Sequence, residues 1–239
     1  MRDVAYYPLS EDKELVIAAD CSGGVGEKAS DEVEASYELV GKYSARVAVM
    51  EALSVGASLT GISLHNFCGQ EEWPRLVKGV QEVLTETGYP HLPLTGSTES
   101  NMNMVQSAFG VTAIGTVSPE AKKTEKTPEN AGFAVVGTPL WGDSVLAKKD
   151  KVLPLSLFRS LVDHPGVYEI VPVGSKGIKF ELDILCQMNS LKPLSVSDSP
   201  FDQFSSAGPA TCVIISFDMK IKEELKQMSS PYITFFSRQ

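Results

Sequence analysis

The sequence predicts an α+β fold in two parts, an N-terminal α/β domain over residues 1–117 and a reduced α+β domain over 131–239. Three observations carry this. Strand-like and helical apolar patterns alternate through the first half. The stretch Ser118–Asn130 (SPEAKKTEKTPEN) contains no large apolar residue and reads as a surface loop and domain boundary. Strand-like and helical runs then resume over a shorter span.

In order, Glu14–Ala19 (ELVIAA) is a short strand ending at Asp20, followed by the glycine segment Asp20-Cys-Ser-Gly-Gly-Val-Gly-Glu-Lys28. Residues 36–55 are helical, with Val40, Val47, Ala48 and Val55 near one face and Gly56 as the stop. Leu59–Phe67 reads as a buried strand. Glu71–Thr87 reads as an amphipathic helix presenting Trp73, Leu76, Val77, Val80 and Leu84, stopped by Gly88. Leu92–Leu94 leads into a turn, Thr95-Gly-Ser-Thr-Glu-Ser100, and Gln106–Val117 is a third strand. The second part holds strands at 133–136 and 167–173, helices near 155–162 and 176–188, and a final strand at 211–217.

The 239 residues are 43% apolar and 21% charged, an ordinary globular composition with enough apolar material for a full core. A net charge of −9 repels phosphate backbones and anionic lipid, which argues against nucleic-acid and membrane partners. The four cysteines form no CxxC pair and the three histidines are scattered, which argues against a zinc site or a disulfide scaffold. The N-terminus lacks the apolar run of a signal peptide, and no stretch approaches the ~20 apolar residues of a membrane span. A soluble cytoplasmic protein is expected.

Gly23, Gly24 and Gly26 free the backbone to turn tightly and expose N–H groups to a phosphate, with Lys28 adding positive charge; a plain turn after a strand is the competing reading. Neither the P-loop nor the dinucleotide spacing is present. Glu51 has no basic residue three or four positions away on its helix, so a divalent cation would neutralise it, unless the helix leaves it in solvent. Asp20 and Glu99 add carboxylates at strand ends, where α/β folds gather ligands. Three carboxylates and a glycine segment fit a magnesium–nucleotide site better than a protease or a hydride-transfer enzyme. His65 reads as a general base or as a partner of the following loop, and His91 and His164, both beside proline, as turn residues. Cys68 reads as a buried thiol, and Asp143, Ser175 and Lys176 as acceptor contacts or solvent-facing loop residues.

These segments occur in an order that resembles the aminoimidazole ribonucleotide synthetase superfamily, which includes thiamine-monophosphate kinase and selenophosphate synthetase. The resemblance covers roughly residues 10–117 and rests on Asp20, Gly24-Val-Gly-Glu-Lys28, the helix Arg46–Ala57, the turn Gly96-Ser-Thr-Glu99 and Gly110-Val-Thr-Ala-Ile-Gly115. Glu51 stands where the family motif has an aspartate, and Thr95-Gly-Ser-Thr-Glu99 where it has Gly-Gly-Asp-Thr. YSARVAVMEALSVGA, LHNFCG and TGSTESN are similar to the α-ribazole kinases, the cobalamin-salvage branch.

The resemblance implies an ATP- and Mg2+-dependent kinase that phosphorylates the 5′-hydroxyl of α-ribazole, and a homodimer whose N-terminal sheets join into a β-barrel. It implies metal ligation by Asp20, Glu51 and Glu99 and nucleotide contacts from Gly24, Gly26, Lys28, Gly96, Ser97 and Thr98. No catalytic base is assigned. The alternatives are a related phosphotransferase of the thiamine-monophosphate kinase kind and a non-catalytic nucleotide-binding accessory protein.

Overall fold

The computed structural model describes residues 3–194 and 200–236, so the outermost residues of the two predicted domains lie outside the described ones. The chain divides into two compact units, Asp3–Leu53 with Ala57–Ala121, and Ser54–Gly56 with the chain from Lys122 onward.

The first unit opens with a hairpin, β1 (Val4–Ser10) and β2 (Lys13–Gly23). A parallel bridge follows between β3 (Val25–Gly26) and β4 (Val33–Glu34), which folds the glycine segment back on itself. Then come α1 (Tyr37–Ser54), β5 (Ser58–Asn66), α2 (Trp73–Glu86), β6 (Leu94–Thr98) and β7 (Ala108–Val117). The sheet order is β1-β2-β7-β5-β6, antiparallel throughout except for the parallel pair β5–β6.

Burial alternates along the central strand β7. Phe109, Val111, Ala113 and Val117 are buried, while Gly110, Thr112, Ile114 and Thr116 stay partly exposed. Period-two patterning of this kind leaves one face of a sheet in the core and one open.

The second unit holds β8 (Gly132–Gly137), α3 (Asp143–Ala147), α4 (Leu155–Asp163), β9 (Val167–Pro172), α5 (Gly177–Met188), β10 (Cys212–Phe217), α6 (Lys222–Ser229) and β11 (Ile233–Phe235). Its antiparallel sheet runs β11-β8-β10-β9. Every residue of β8 and β10 is buried, and α5 packs Ile178, Leu182 and Leu185 against Phe133, Val135, Val171 and Ile214.

Several elements depart from the sequence expectation. β1 is an unforeseen strand whose Pro8 sits on the sheet edge, where a missing N–H costs no ladder bond. Thr95–Thr98, expected as a turn, is most of β6 and pairs with Ser63–Asn66. α3, α6 and β11 were not foreseen; α6 (KEELKQMS) buries only Leu225 and Ser229 and has little apolar signature. The polar stretch 118–130 has no helix or strand, but it is tied down. The Thr127 amide and hydroxyl both donate to Glu169 Oε1, at 3.1 and 2.6 Å, and Lys123 Nζ donates to the Val162 carbonyl.

Candidate functional site

The glycine segment is a clamped turn. Asp31 accepts from the Ser107 amide at 2.7 Å, the Ser107 hydroxyl at 2.7 Å and the Lys28 amide at 2.9 Å, and Tyr37 lies 3.0 Å from the same hydroxyl. Burial pushes the Asp31 carboxyl up, but these hydrogen bonds outweigh it and hold the group below its ordinary range. Gly26 is dictated by this clamp, because a Cβ there would lie 2.3 Å from Ser107 Oγ. On the outer flank Arg75 of α2 pairs with Glu27, Glu38 and Glu72.

Two of the expected phosphate contacts are committed inward. The Gly24 amide donates to the Ser107 carbonyl at 2.8 Å. Lys28 Nζ donates to the carbonyls of Phe67 (3.1 Å), Met104 (3.0 Å) and Gln106 (3.4 Å). An ammonium has three N–H donors, so all are used within the protein. Lys28 therefore acts as a pin that draws three loops together. Of the other predicted contacts, Gly96 packs its backbone against Leu64 and Trp73, Thr98 accepts from Asn66 at 3.1 Å, and Ser97 is exposed.

Asp20, Glu51 and Glu99 do not gather into one metal centre. Among the described residues no three His, Cys, Asp or Glu side chains form a group able to hold a metal ion. Topology gives the reason. Asp20 pairs with Val111, which pairs with Leu64 near the end of β5, whereas Glu51 sits on the last turns of α1, just before β5 begins.

Glu51 is only 8% exposed and is not without a partner. Glu99 closes a local turn: its Oε1 accepts from the amides of Asn101 (2.6 Å) and Met102 (3.0 Å). Asp20 differs from both. Burial pushes its carboxyl up to about 7, opposed by one hydrogen bond from the Cys21 amide. A half-buried carboxylate supported in this way fits one ligand position of a divalent cation. A three-carboxylate set within one chain does not fit.

Asp20 lines a concavity of about 500 Å³ on the first sheet. Its floor is Gly110, flanked in register by Cys21 on β2 and His65 on β5. The exposed His65 ring leans over the space a Gly110 side chain would fill, with Nδ1 3.5 Å from that Cβ position. Phe67 forms one edge. Neighbouring Cys68 is buried, its thiol donating to the Ala108 carbonyl at 3.4 Å and pushed up in pKa by burial, the state of an unreactive thiol. Asn66 organises the turn beyond β5, donating to Gly69 and Thr98 and accepting from the Cys68 amide.

The remaining candidates stand apart. His91 is exposed in a turn, and His164 accepts from the Gly166 amide and lies 3.2 Å from Glu224. Asp143 begins α3, and Lys176 lies 4.3 Å over the Phe180 ring. Asp31 and Ser107, which organise the site, carried no signal in the sequence: one sits in a polar loop and the other at the start of a strand, 76 residues apart.

No protein-family model matches the sequence, and no curated protein is recognisably similar to it in sequence. Solved structures are similar over nearly all of the chain. Thiamine monophosphate kinase from Aquifex aeolicus superposes with a TM-score of 0.66 at 14% identity, covering 100% of this chain and 88% of the kinase. HypE in a HypE–HypF complex gives 0.66 at 14% identity, covering 100% and 87%. T. maritima PurL complexed with ADP gives 0.62 at 12% identity, covering 100% of this chain and 41% of PurL. The chain has their mixed α+β fold, the aminoimidazole ribonucleotide synthetase type.

Proposed function

We propose that the protein is an ATP-dependent small-molecule kinase that transfers the γ-phosphoryl group to the 5′-hydroxyl of α-ribazole. The observation that carries this reading is fold likeness along the whole chain, at TM-scores of 0.62 for both a thiamine monophosphate kinase complexed with AMPPCP and TMP and HypE in complex with ATP. The α-ribazole acceptor is favoured by the residues 43–57, 64–69 and 95–101 that resemble that branch.

Phosphoryl transfer asks a protein mainly for positioning and charge neutralisation. Asp20 would hold magnesium, which when bound supplies charge neutralisation at the transferred group. The clamp of Asp31, Ser107 and Lys28 fixes the end of β2 and its following turn, so Asp20 and Ser22–Gly23 keep their positions during transfer. Ser97 is the exposed hydroxyl of the predicted nucleotide set.

A homodimer joined through the open face of the first sheet belongs to the same proposal. Half-exposed Leu15, Ile17 and Ile114 on that face support it. A cytoplasmic location accords with it; among the described residues no helix is long and apolar enough to cross a membrane.

The test is calorimetric titration of ATP with and without magnesium, followed by ADP release with α-ribazole and, separately, with thiamine monophosphate. Magnesium-dependent ATP binding and ADP release with α-ribazole are expected. ADP release with thiamine monophosphate alone replaces the acceptor, and no binding at millimolar ATP overturns the kinase reading.

A further inference from the structure

Glu169 of β9 is 1% exposed, and its two carboxylate oxygens have unequal surroundings. Oε1 accepts three hydrogen bonds, from the Lys126 amide at 3.1 Å, the Thr127 amide at 3.1 Å and the Thr127 hydroxyl at 2.6 Å. Oε2 is buried as well and has no hydrogen-bond partner within the protein. Among the described residues no Lys, Arg or His forms an ion pair with Glu169. Protonation would not relieve the orphan, because a hydrogen on Oε2 would itself need an acceptor. A buried polar atom without a partner costs free energy, most of all when it carries charge.

The hydrogens around the carboxylate are already committed. Ser216 Oγ accepts from the Glu169 amide at 3.1 Å and lies 2.7 Å from Thr127 Oγ1. Since the Thr127 hydroxyl donates to Glu169, Ser216 is the donor in that second contact. The two hydroxyls form a chain that ends on Oε1 and leaves no hydrogen for Oε2. The Thr127 amide also donates to Asn189 Oδ1 at 2.8 Å, so one N–H serves two acceptors. Asn189 caps the C-terminal end of α5, whose last turn carries no basic residue, and the negative end of the helix dipole adds to the same field.

Oxygen lone pairs outnumber hydrogens here, which calls for a cation. We infer that Glu169 Oε2 anchors a buried site for a monovalent alkali cation, with Thr127 Oγ1, Ser216 Oγ and Asn189 Oδ1 as the neutral oxygens around it. All are hard donors, and a single carboxylate balances one positive charge. Calcium draws on more carboxylate oxygens and magnesium on an octahedral shell, so neither suits a set with so little charge. A water at Oε2 would donate one hydrogen bond and leave the buried charge uncompensated. Lys126 and Thr127 belong to the polar stretch 118–130, while Glu169 and Ser216 pair in register on β9 and β10. The bound cation therefore fastens that stretch to the second sheet. This inference is independent of the kinase reading.

The test is the melting temperature of the whole protein in sodium, potassium, calcium and choline chloride at one ionic strength, for wild type and Glu169→Gln. In the preferred alkali salt, at ten times its Kd, wild type should melt roughly 3–6 °C higher than in choline. Glu169→Gln keeps the shape without the charge and should melt alike in sodium, potassium and choline. Equal melting of wild type in all salts, an undiminished alkali response in the variant, or a response to calcium alone overturns the site. Wild-type crystals soaked in a thallium(I) salt supply a readout that needs no variant. An anomalous peak beside Glu169 Oε2 is expected, and a water there without anomalous signal overturns the inference. Neither measurement contains ATP, so its failure and the failure of the kinase reading are separate results.

Discussion

The two sheets of this molecule use their apolar residues differently. In β7 (AFGVTAIGTV) alternate residues are buried, whereas β8 (GFAVVG) and β10 (CVIISF) are buried at every position. Alternation leaves Gly110, Thr112 and Ile114 on an open face beside the concavity, and continuous burial makes the second sheet an interior element. A sheet buried on both faces is spent on stability. One buried on a single face retains a surface for a ligand or a second subunit.

The comparison is most easily broken by paired truncations. Ile214→Ala, on β10 at full burial, should cost about 2–5 kcal/mol in urea unfolding. Ile114→Ala, on the open face, should cost about 1 kcal/mol or less at low protein concentration. Equal costs at dilution would mean that the first sheet is closed on both sides. A cost at Ile114 that grows with protein concentration would show that the face pairs between copies.

Asp31→Ala should come next, at about 2–3 kcal/mol, because it strands the Ser107 and Lys28 amides. A carboxyl held below its ordinary range stabilises the fold above the unfolded pKa of about 4. Its contribution is lost as pH falls further, through the lowered folded value. Accelerated amide exchange at Gly24 and Lys28 in acid, absent in Asp31→Ala, would report it.

Asp20 has the opposite sign. Its folded pKa of about 7 exceeds the unfolded value, so the folded state keeps a proton that the unfolded state releases. Wild-type stability should fall as pH rises from about 4 to 7. Asp20→Asn should remove that slope and gain about 1–2 kcal/mol at neutral pH. An unchanged slope in the variant would place the titration elsewhere. Arg75→Ala should be the smallest change, a lower melting temperature at low salt that disappears at high salt, since its partners Glu27, Glu38 and Glu72 are partly solvated.

Much of this architecture was legible because local pattern and tertiary role agree. The helix read at 36–55 is α1, and the runs at 59–67 and 211–217 match β5 and β10 to within a residue. Failures cluster where composition and environment part. Thr95–Thr98 has turn composition yet forms an exposed edge strand, because serine and threonine tolerate a sheet edge.

The chemistry was harder to read than the fold. Lys28 looked like a phosphate contact since its carbonyl partners lie 39 to 78 residues away in the chain. Glu51 was judged against its own helix, while its burial comes from tertiary packing. Asp20 alone of the three carboxylates lines the concavity.

The central claim is phosphoryl transfer to a nucleoside hydroxyl. Phosphorus NMR of the protein with magnesium, ATP and α-ribazole tests it most directly. The account predicts loss of the γ-phosphorus signal and growth of a phosphomonoester signal split by the two 5′-methylene protons. An unchanged ATP spectrum, or inorganic phosphate as the sole new signal, would contradict it.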